Sequence, residues 1–309
     1  MYKIFIDGKA GTTGLRIYDR LGQRDDIQLI TLPEEDRKKL DCRIEAINSS
    51  DISFLCLPDA ASIEAVEHAS KNVRIIDTST AHRTNPDWAY GFAELSDEHR
   101  EKIIHSNRIS VPGCHASGFI ALIYPLIKNG IISPNCDLSC TSISGYSGAG
   151  KQAISIYEGD EKPDLWNAPR EYAILQEHKH LKEMKAITGI NKAPIFMPII
   201  ADYYSGMLVT IGLHKSQLNP GKTKQHVIEA YSSLYNNDIV KYCENVDEEN
   251  FVSAKAMSGK DDMQVFVSGN DERILLLARY DNLGKGASGA AIECMNIAMG
   301  KDEKTGLNI

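Results

Sequence analysis

YKIFIDGKAGTTGLRIYDRLGQ, residues 2–23, decides how the first half of the chain folds. Its opening, YKIFIDG, alternates and is rich in Ile and Phe, as a strand is. A glycine-rich turn follows and runs into a helical segment. Gly8, Gly11 and Gly14 punctuate that turn with the spacing G-x-x-G-x-x-G. Glycine lets a backbone approach a pyrophosphate closely, and the helix N-terminus beyond it presents unused N–H groups. Strand, glycine turn and helix in that order predict a dinucleotide site at Gly8, Gly11, Thr12, Thr13 and Gly14, although the commoner spacing is G-x-G-x-x-G. The bland alternative is a turn with no ligand.

The pattern repeats outward from there. IQLITL (27–32), ISFLCLP (52–58) and VRIIDTS (73–79) read as further strands, the second an almost continuous apolar run of the kind buried in parallel sheets. DAASIEAVEHASKN (59–72) reads as a helix between the last two. Such β-α-β alternation predicts an α/β, Rossmann-type, doubly wound parallel sheet. Beyond the second strand, residues 33–39 (PEEDRKK) mix acids with bases. An acid there suits a free ribose hydroxyl and a base suits a 2′-phosphate, so the choice of dinucleotide stays open.

After residue 114 the rhythm changes. HASGFIALIYPLIKNG (115–130) reads as an apolar helix, and CDLSCTSISGYSGAG (136–150) as a strand ending in a glycine-rich loop. Long strand-like runs fill 194–214, and GKTKQHVIEAYSSLYNN (221–237) is an amphipathic helix. MQVFVSGN (263–270) and RILLLARYDN (273–282) read as paired strands, and GKGASGAAIECMNIAMG (284–300) as glycines leading into a helix. Strands with fewer intervening helices predict a second, α+β domain with a mixed sheet. The polar connector VDEENFVSAKAMSGKDD (246–262) is expected to be a surface loop.

The 309 residues suit two domains. A net charge of −8 without a long basic run argues against nucleic acid as a partner. No apolar run reaches the roughly 18 residues that span a bilayer, and the start shows no secretory signal. The seven cysteines are scattered without a C-x-x-C pair, which argues against a disulfide framework or a structural zinc site and for a reducing cytoplasm.

One cysteine stands apart. VPGCHASGF (111–119) puts Cys114 after Pro-Gly and at the start of a helix, where the partial positive charge favours a thiolate. Its backbone N–H can face an oxyanion. The alternative is an inert buried thiol. A thiolate nucleophile needs an acid/base partner, and LQEHKHLKEM (175–184) offers His178 and His180, with Glu183 placed to orient His180 if the segment is helical. No third or fourth ligand accompanies that His-x-His pair, so no metal is expected. SGYSGAGK (144–151) has the composition of a phosphate-cradling loop but not Walker spacing. Arg83, in DTSTAHR, follows a strand end where open α/β sheets place ligands, unless it is a structural ion-pair partner.

Taken together, DGKAGTTG, STAHR, VPGCHASG, SGYSGAGK, HKHLKEM and DNLGKGASGAA resemble the N-acetyl-gamma-glutamyl-phosphate reductases, and the length and VPGCHASGF resemble their shorter, type 2 branch. The resemblance runs from residue 3 to about residue 300. It implies the fold of aspartate-semialdehyde dehydrogenase and NADPH-dependent reduction of an acyl phosphate to an aldehyde in arginine biosynthesis. A sister reductase of another acyl phosphate, such as aspartyl phosphate, is the alternative, and an NADP-sensing protein without turnover is a second. By the resemblance, Cys114 is the nucleophile and His180 the acid/base, with Lys179 and Lys182 standing where the long branch has Arg and Pro. Arg83, Ser147, Gly148 and His178 then belong to the substrate. Ser147, Gly150, Asn282 and Gly284 join the glycine turn in holding NADP(H). The nucleotide domain becomes 1–113 plus 284–309, with 114–283 the catalytic and oligomerisation domain of a homo-oligomer, dimer or tetramer.

Overall fold

The computed structural model describes residues 1–245 and 250–309. The chain divides into two compact units, one of Met1–Pro112 with Ala287–Leu307, the other of Gly113–Gly286 with Asn308–Ile309. The break expected after 113 falls after Pro112, and the return expected at 284 comes at Ala287, because the glycines before it pack inside the second unit.

The first unit holds β1 (Tyr2–Asp7), α1 (Thr12–Leu21), β2 (Ile27–Ile30), α2 (Leu40–Asn48), β3 (Ile52–Leu55), α3 (Asp59–His68), β4 (Arg74–Asp77), β5 (Ala89–Tyr90), α4 (Asp97–His105), β6 (Arg108–Ser110) and the chain's last helix, α9 (Gly289–Ala298). Its six strands are all parallel, in the order β2-β1-β3-β4-β6-β5. Alternation within β1 sends Ile4 and Ile6 to one face and Phe5 to the other. On the first face they join Ile17 and Leu21 of α1, Ile103 of α4 and Ile292 and Met295 of α9. On the second, Phe5, Leu55 and Ile75 meet Ala46 and Ile47 of α2 and Ala65 of α3. The sheet is therefore doubly wound, with its topological switch between β1 and β3, where such sheets bind ligands.

The second unit holds α5 (Cys114–Lys128), β7 (Ser139–Gly145), α6 (Lys151–Glu158), β8 (Arg170–Glu171), α7 (His180–Thr188), β9 (Ile195–Ala201), β10 (Met207–His214), α8 (Lys224–Leu234), β11 (Val240–Tyr242), β12 (Met263–Gly269) and β13 (Arg273–Tyr280). Seven strands form one mixed sheet, in the order β11-β12-β13-β10-β7-β9-β8. The hairpin of β12 and β13 is antiparallel, whereas β7 and β9 run parallel. Helix α5 packs on β10, β13, α7 and α8, and most of its residues are buried.

Three tyrosine hydroxyls tie α5 to that surround. Pro125 lies inside the helix and lacks the N–H that would serve the Ala121 carbonyl. Tyr235 donates to that carbonyl instead at 2.7 Å, and Tyr231 donates to the next one, Leu122, at 2.5 Å. At the other end the Tyr280 hydroxyl donates to the Cys114 carbonyl and accepts the Gly118 N–H at 3.0 Å. It sits between two groups one helical turn apart. A Cβ at residue 118 would lie 2.7 Å from the Tyr280 oxygen and 2.6 Å from Val209, so Gly118 is what lets the hydroxyl in.

The expected connector at 246–262 needs correction. Residues 246–249 lie outside the described residues, and of the rest Met257, Asp261 and Asp262 are buried, not on the surface.

Candidate active site

In the first unit Gly8 has φ +83°, and a Cβ there would fall 2.3 Å from the Cys56 carbonyl oxygen. A Cβ on Gly14 would fall 2.6 Å from the Gly8 oxygen, so α1 rests directly on the turn. Gly11 caps α1 with no side chain over its end. The N–H groups of Thr12 and Thr13 are thus left for an anion, as a pyrophosphate requires. Beside the turn, a cavity of about 390 Å3 is lined by Gly8, Lys9, Thr31, Leu32, Lys38 and Arg43, among others. Arg43 donates from Nε to Asp7 at 2.8 Å while its Nη2 is buried without a hydrogen-bond partner. Burial raises the Asp7 carboxyl, and Arg43 opposes that shift. Turn, open helix end and basic cavity fit a dinucleotide phosphate.

Arg83 is buried, and its fork closes on backbone: Nε on the Val111 carbonyl and Nη2 on the Thr78 carbonyl, both at 2.8 Å. Both bonds are structural contacts to backbone carbonyls. They fix the end of the segment that leads to Cys114.

In the second unit Cys114 is the first residue of α5, after the extended cap Gly113. The Gly113 N–H donates to Glu183 Oε1 at 2.8 Å. The first turn of α7 thereby sits at the base of α5. Gly286 closes the other side: a Cβ there would stand 3.0 Å from the Cys114 Cβ.

His115 follows Cys114 and is buried in a ring cluster that sequence patterning did not single out. Its Nδ1 pairs with Ser142 Oγ at 2.7 Å and its Nε2 with Tyr172 Oη at 2.6 Å. His178, His180 and Phe196 surround it at centroid distances of 5.6, 5.8 and 5.4 Å. Burial, with His178 adding repulsion, pushes His115 down to about 3. Burial and then Lys179 push His178 down to about 4. Both rings are neutral near pH 7. His178 Nδ1 accepts the His180 N–H at 3.2 Å, so its proton resides on Nε2. His180 itself opens α7 and is buried. The Tyr172 phenol is pushed up by burial first and by the Cys114 charge second.

A cavity of about 420 Å3 adjoins these rings, lined by His115, His178, Tyr172, Ser144, Gly148 and Arg170, among others. The loop along it is held from inside. Asn282 is buried, accepts the Gly206 N–H at 3.0 Å and donates to Ser147 Oγ at 3.0 Å. Gly150 has φ +84°, and a Cβ on Gly284 would meet the Lys260 oxygen at 1.9 Å. Ser147, Asn282 and Gly284 use these contacts to build the loop and the turn after β13. Among the described residues no cluster of three or more His, Cys, Asp or Glu is placed to hold a metal ion, and no helix is long and apolar enough to cross a membrane.

Comparison with known proteins follows the same division. Residues 4–103 match the semialdehyde dehydrogenase NAD binding domain, and residues 114–282 match the semialdehyde dehydrogenase dimerisation domain. The chain is similar to N-acetyl-gamma-glutamyl-phosphate reductase of Brucella suis, 42% identical over 97% of this chain and 99% of that protein. It is equally similar to N-acetyl-gamma-glutamyl-phosphate reductase 2 of a Nostoc species, 42% identical over 99% of both. Among solved structures, aspartate semialdehyde dehydrogenase II of Vibrio cholerae superposes with a TM-score of 0.72 at 16% identity, covering 97% of this chain and 98% of that one. The likeness to that structure is one of fold.

Proposed function

Because the chain belongs to the N-acetyl-gamma-glutamyl-phosphate reductases, we propose that it reduces N-acetyl-gamma-glutamyl phosphate to N-acetylglutamate semialdehyde, consuming one NADPH and one proton and releasing phosphate, as a step of arginine biosynthesis. The observation that carries this reading is Cys114 at the N-terminus of α5, with the first turn of α7 and its histidine held against the same helix.

The chemistry follows from those groups. The Cys114 thiolate, favoured by the helix end, attacks the acyl carbonyl. The carbon–oxygen bond to phosphate breaks, and phosphate leaves with the electron pair. Cys114 then carries the acyl group as a thioester, a far better hydride acceptor than a carboxylate. When bound, NADPH supplies that hydride. N–H groups at the start of α5 steady the oxyanion on the reacting carbon, and its collapse expels the thiolate as the aldehyde forms. His180 is the group that gives and takes the proton. His178, neutral with its proton on Nε2, offers a donor to substrate oxygen.

Gly8, Gly11, Thr12, Thr13 and Gly14 hold the NADP(H) pyrophosphate in the first unit, and the second unit carries the reaction. The dimerisation-domain match over residues 114–282 supports a homo-oligomer, and the scattered cysteines support a reducing cytoplasm. The test is NADPH oxidation by purified protein. N-acetyl-gamma-glutamyl phosphate should be consumed and aspartyl phosphate should not, with Cys114→Ser inactive. Full turnover by Cys114→Ser defeats the reading.

A further inference from the structure

Arg170 lies outside every motif noted above. It sits on the edge strand β8, eight residues before His178 in the chain, and lines the same cavity as His178 and His115. Its guanidinium lies over the Trp166 ring, 3.8 Å from the centroid, with Tyr157 at 5.7 Å. Nη2 donates to Tyr157 Oη at 2.9 Å. Nε is buried with no hydrogen-bond partner, and among the described residues the guanidinium's hydrogen bond is the one to Tyr157. A cation held over an indole and hydrogen-bonded by Nη2 is restrained, and Nη1, which makes no hydrogen bond among the described residues and is not enclosed as Nε is, remains a free donor. A restrained guanidinium on the cavity wall with a free Nη1 donor is placed to meet a ligand anion there.

The cavity's charge says which ligand. Among the described residues Arg170 is its one cationic lining residue and Glu171 its one carboxylate, so the lining offers a single guanidinium and no net positive charge. The two histidines on its wall are held neutral and add none. One guanidinium matches a planar, singly charged carboxylate, whereas a phosphate dianion calls for more positive charge. We infer that Arg170 binds the terminal carboxylate of the acyl substrate, at the end away from the reacting carbonyl. Ser144 and the Gly145 and Gly148 backbone line the same cavity and offer polar groups to the amide. This inference rests on the reaction proposed above.

The reverse reaction tests it, because aldehyde and phosphate are then separate substrates. With N-acetylglutamate semialdehyde, NADP and phosphate, Arg170→Gln should raise the aldehyde KM about 10- to 100-fold, the value of a charged hydrogen-bonded pair, with the phosphate KM unchanged. Arg170→Lys should fall between. An independent arm needs no variant: 4-acetamidobutanal, the same aldehyde without its carboxylate, should lose a similar factor in kcat/KM with the native enzyme. The variant should lose nothing further on it. A rise in phosphate KM alone assigns Arg170 to phosphate and overturns the inference. Equal use of both aldehydes by the native enzyme overturns it too. Absence of any NADP reduction by the native enzyme with the full aldehyde is a different result, which removes the underlying reaction.

Discussion

Replacing Tyr235 by Phe removes one hydroxyl and nothing else, and its cost follows from Pro125. The Ala121 carbonyl is buried in the middle of α5 and faces a proline ring where an N–H would be. Tyr235 supplies the missing donor at 2.7 Å. Without it the carbonyl is stranded away from water, which costs about 1–3 kcal/mol. Pro125→Ala restores an N–H one turn from Ala121. In that background the Tyr235→Phe penalty should shrink to a few tenths of a kcal/mol, as a coupling of about 1–2 kcal/mol in a double-mutant cycle. Urea unfolding of the four proteins, followed by far-UV circular dichroism, measures it. Equal penalties in both backgrounds would refute the idea that the tyrosine stands in for the proline's absent N–H.

The buried histidines make stability depend on pH. His115 is depressed to about 3 in the fold and titrates near its ordinary value when unfolded. Its contribution is intact above about pH 6.5 and is lost as pH falls, because the unfolded chain takes up a proton that the fold refuses. Between pH 7 and pH 5 this removes about 2 kcal/mol, and His115→Asn should flatten that slope in unfolding titrations. His178 adds to the loss in the same direction. Gly8→Ala forces a side chain into φ +83° and against the Cys56 oxygen. NADPH should bind at least about tenfold more weakly by fluorescence titration. Arg83→Lys should lower unfolding stability by about 1–2 kcal/mol through its lost fork, with the phosphate KM of the reverse reaction unchanged. An altered phosphate KM would return Arg83 to the substrate.

Much of the first unit was legible because its rules are local. Strands β1 to β4 are apolar runs a few residues long, and the glycine turn follows β1 directly. Helix α4 escaped because DEHREKIIH buries only Ile103, which leaves no periodicity to read. Cys114 and the histidine pair were legible as motifs in loops or at helix starts. His115 was not, since a histidine on an otherwise apolar helix looks like any core residue until Ser142 and Tyr172 are brought to its two nitrogens. Arg170 and Tyr280 were invisible for a related reason. What singles them out is a contact made across the fold: an indole under a guanidinium, and a hydroxyl inserted between Cys114 and Gly118.

The most direct test of the central claim is to let the enzyme take the first half-reaction alone. Native protein mixed with N-acetyl-gamma-glutamyl phosphate, without nicotinamide, should release a burst of phosphate stoichiometric with active sites. Peptide mass spectrometry should then place one N-acetylglutamyl group on the peptide containing Cys114, and NADPH added afterwards should discharge it as the aldehyde. Phosphate release with no acyl group on Cys114, or an unchanged burst from Cys114→Ser, would contradict the account.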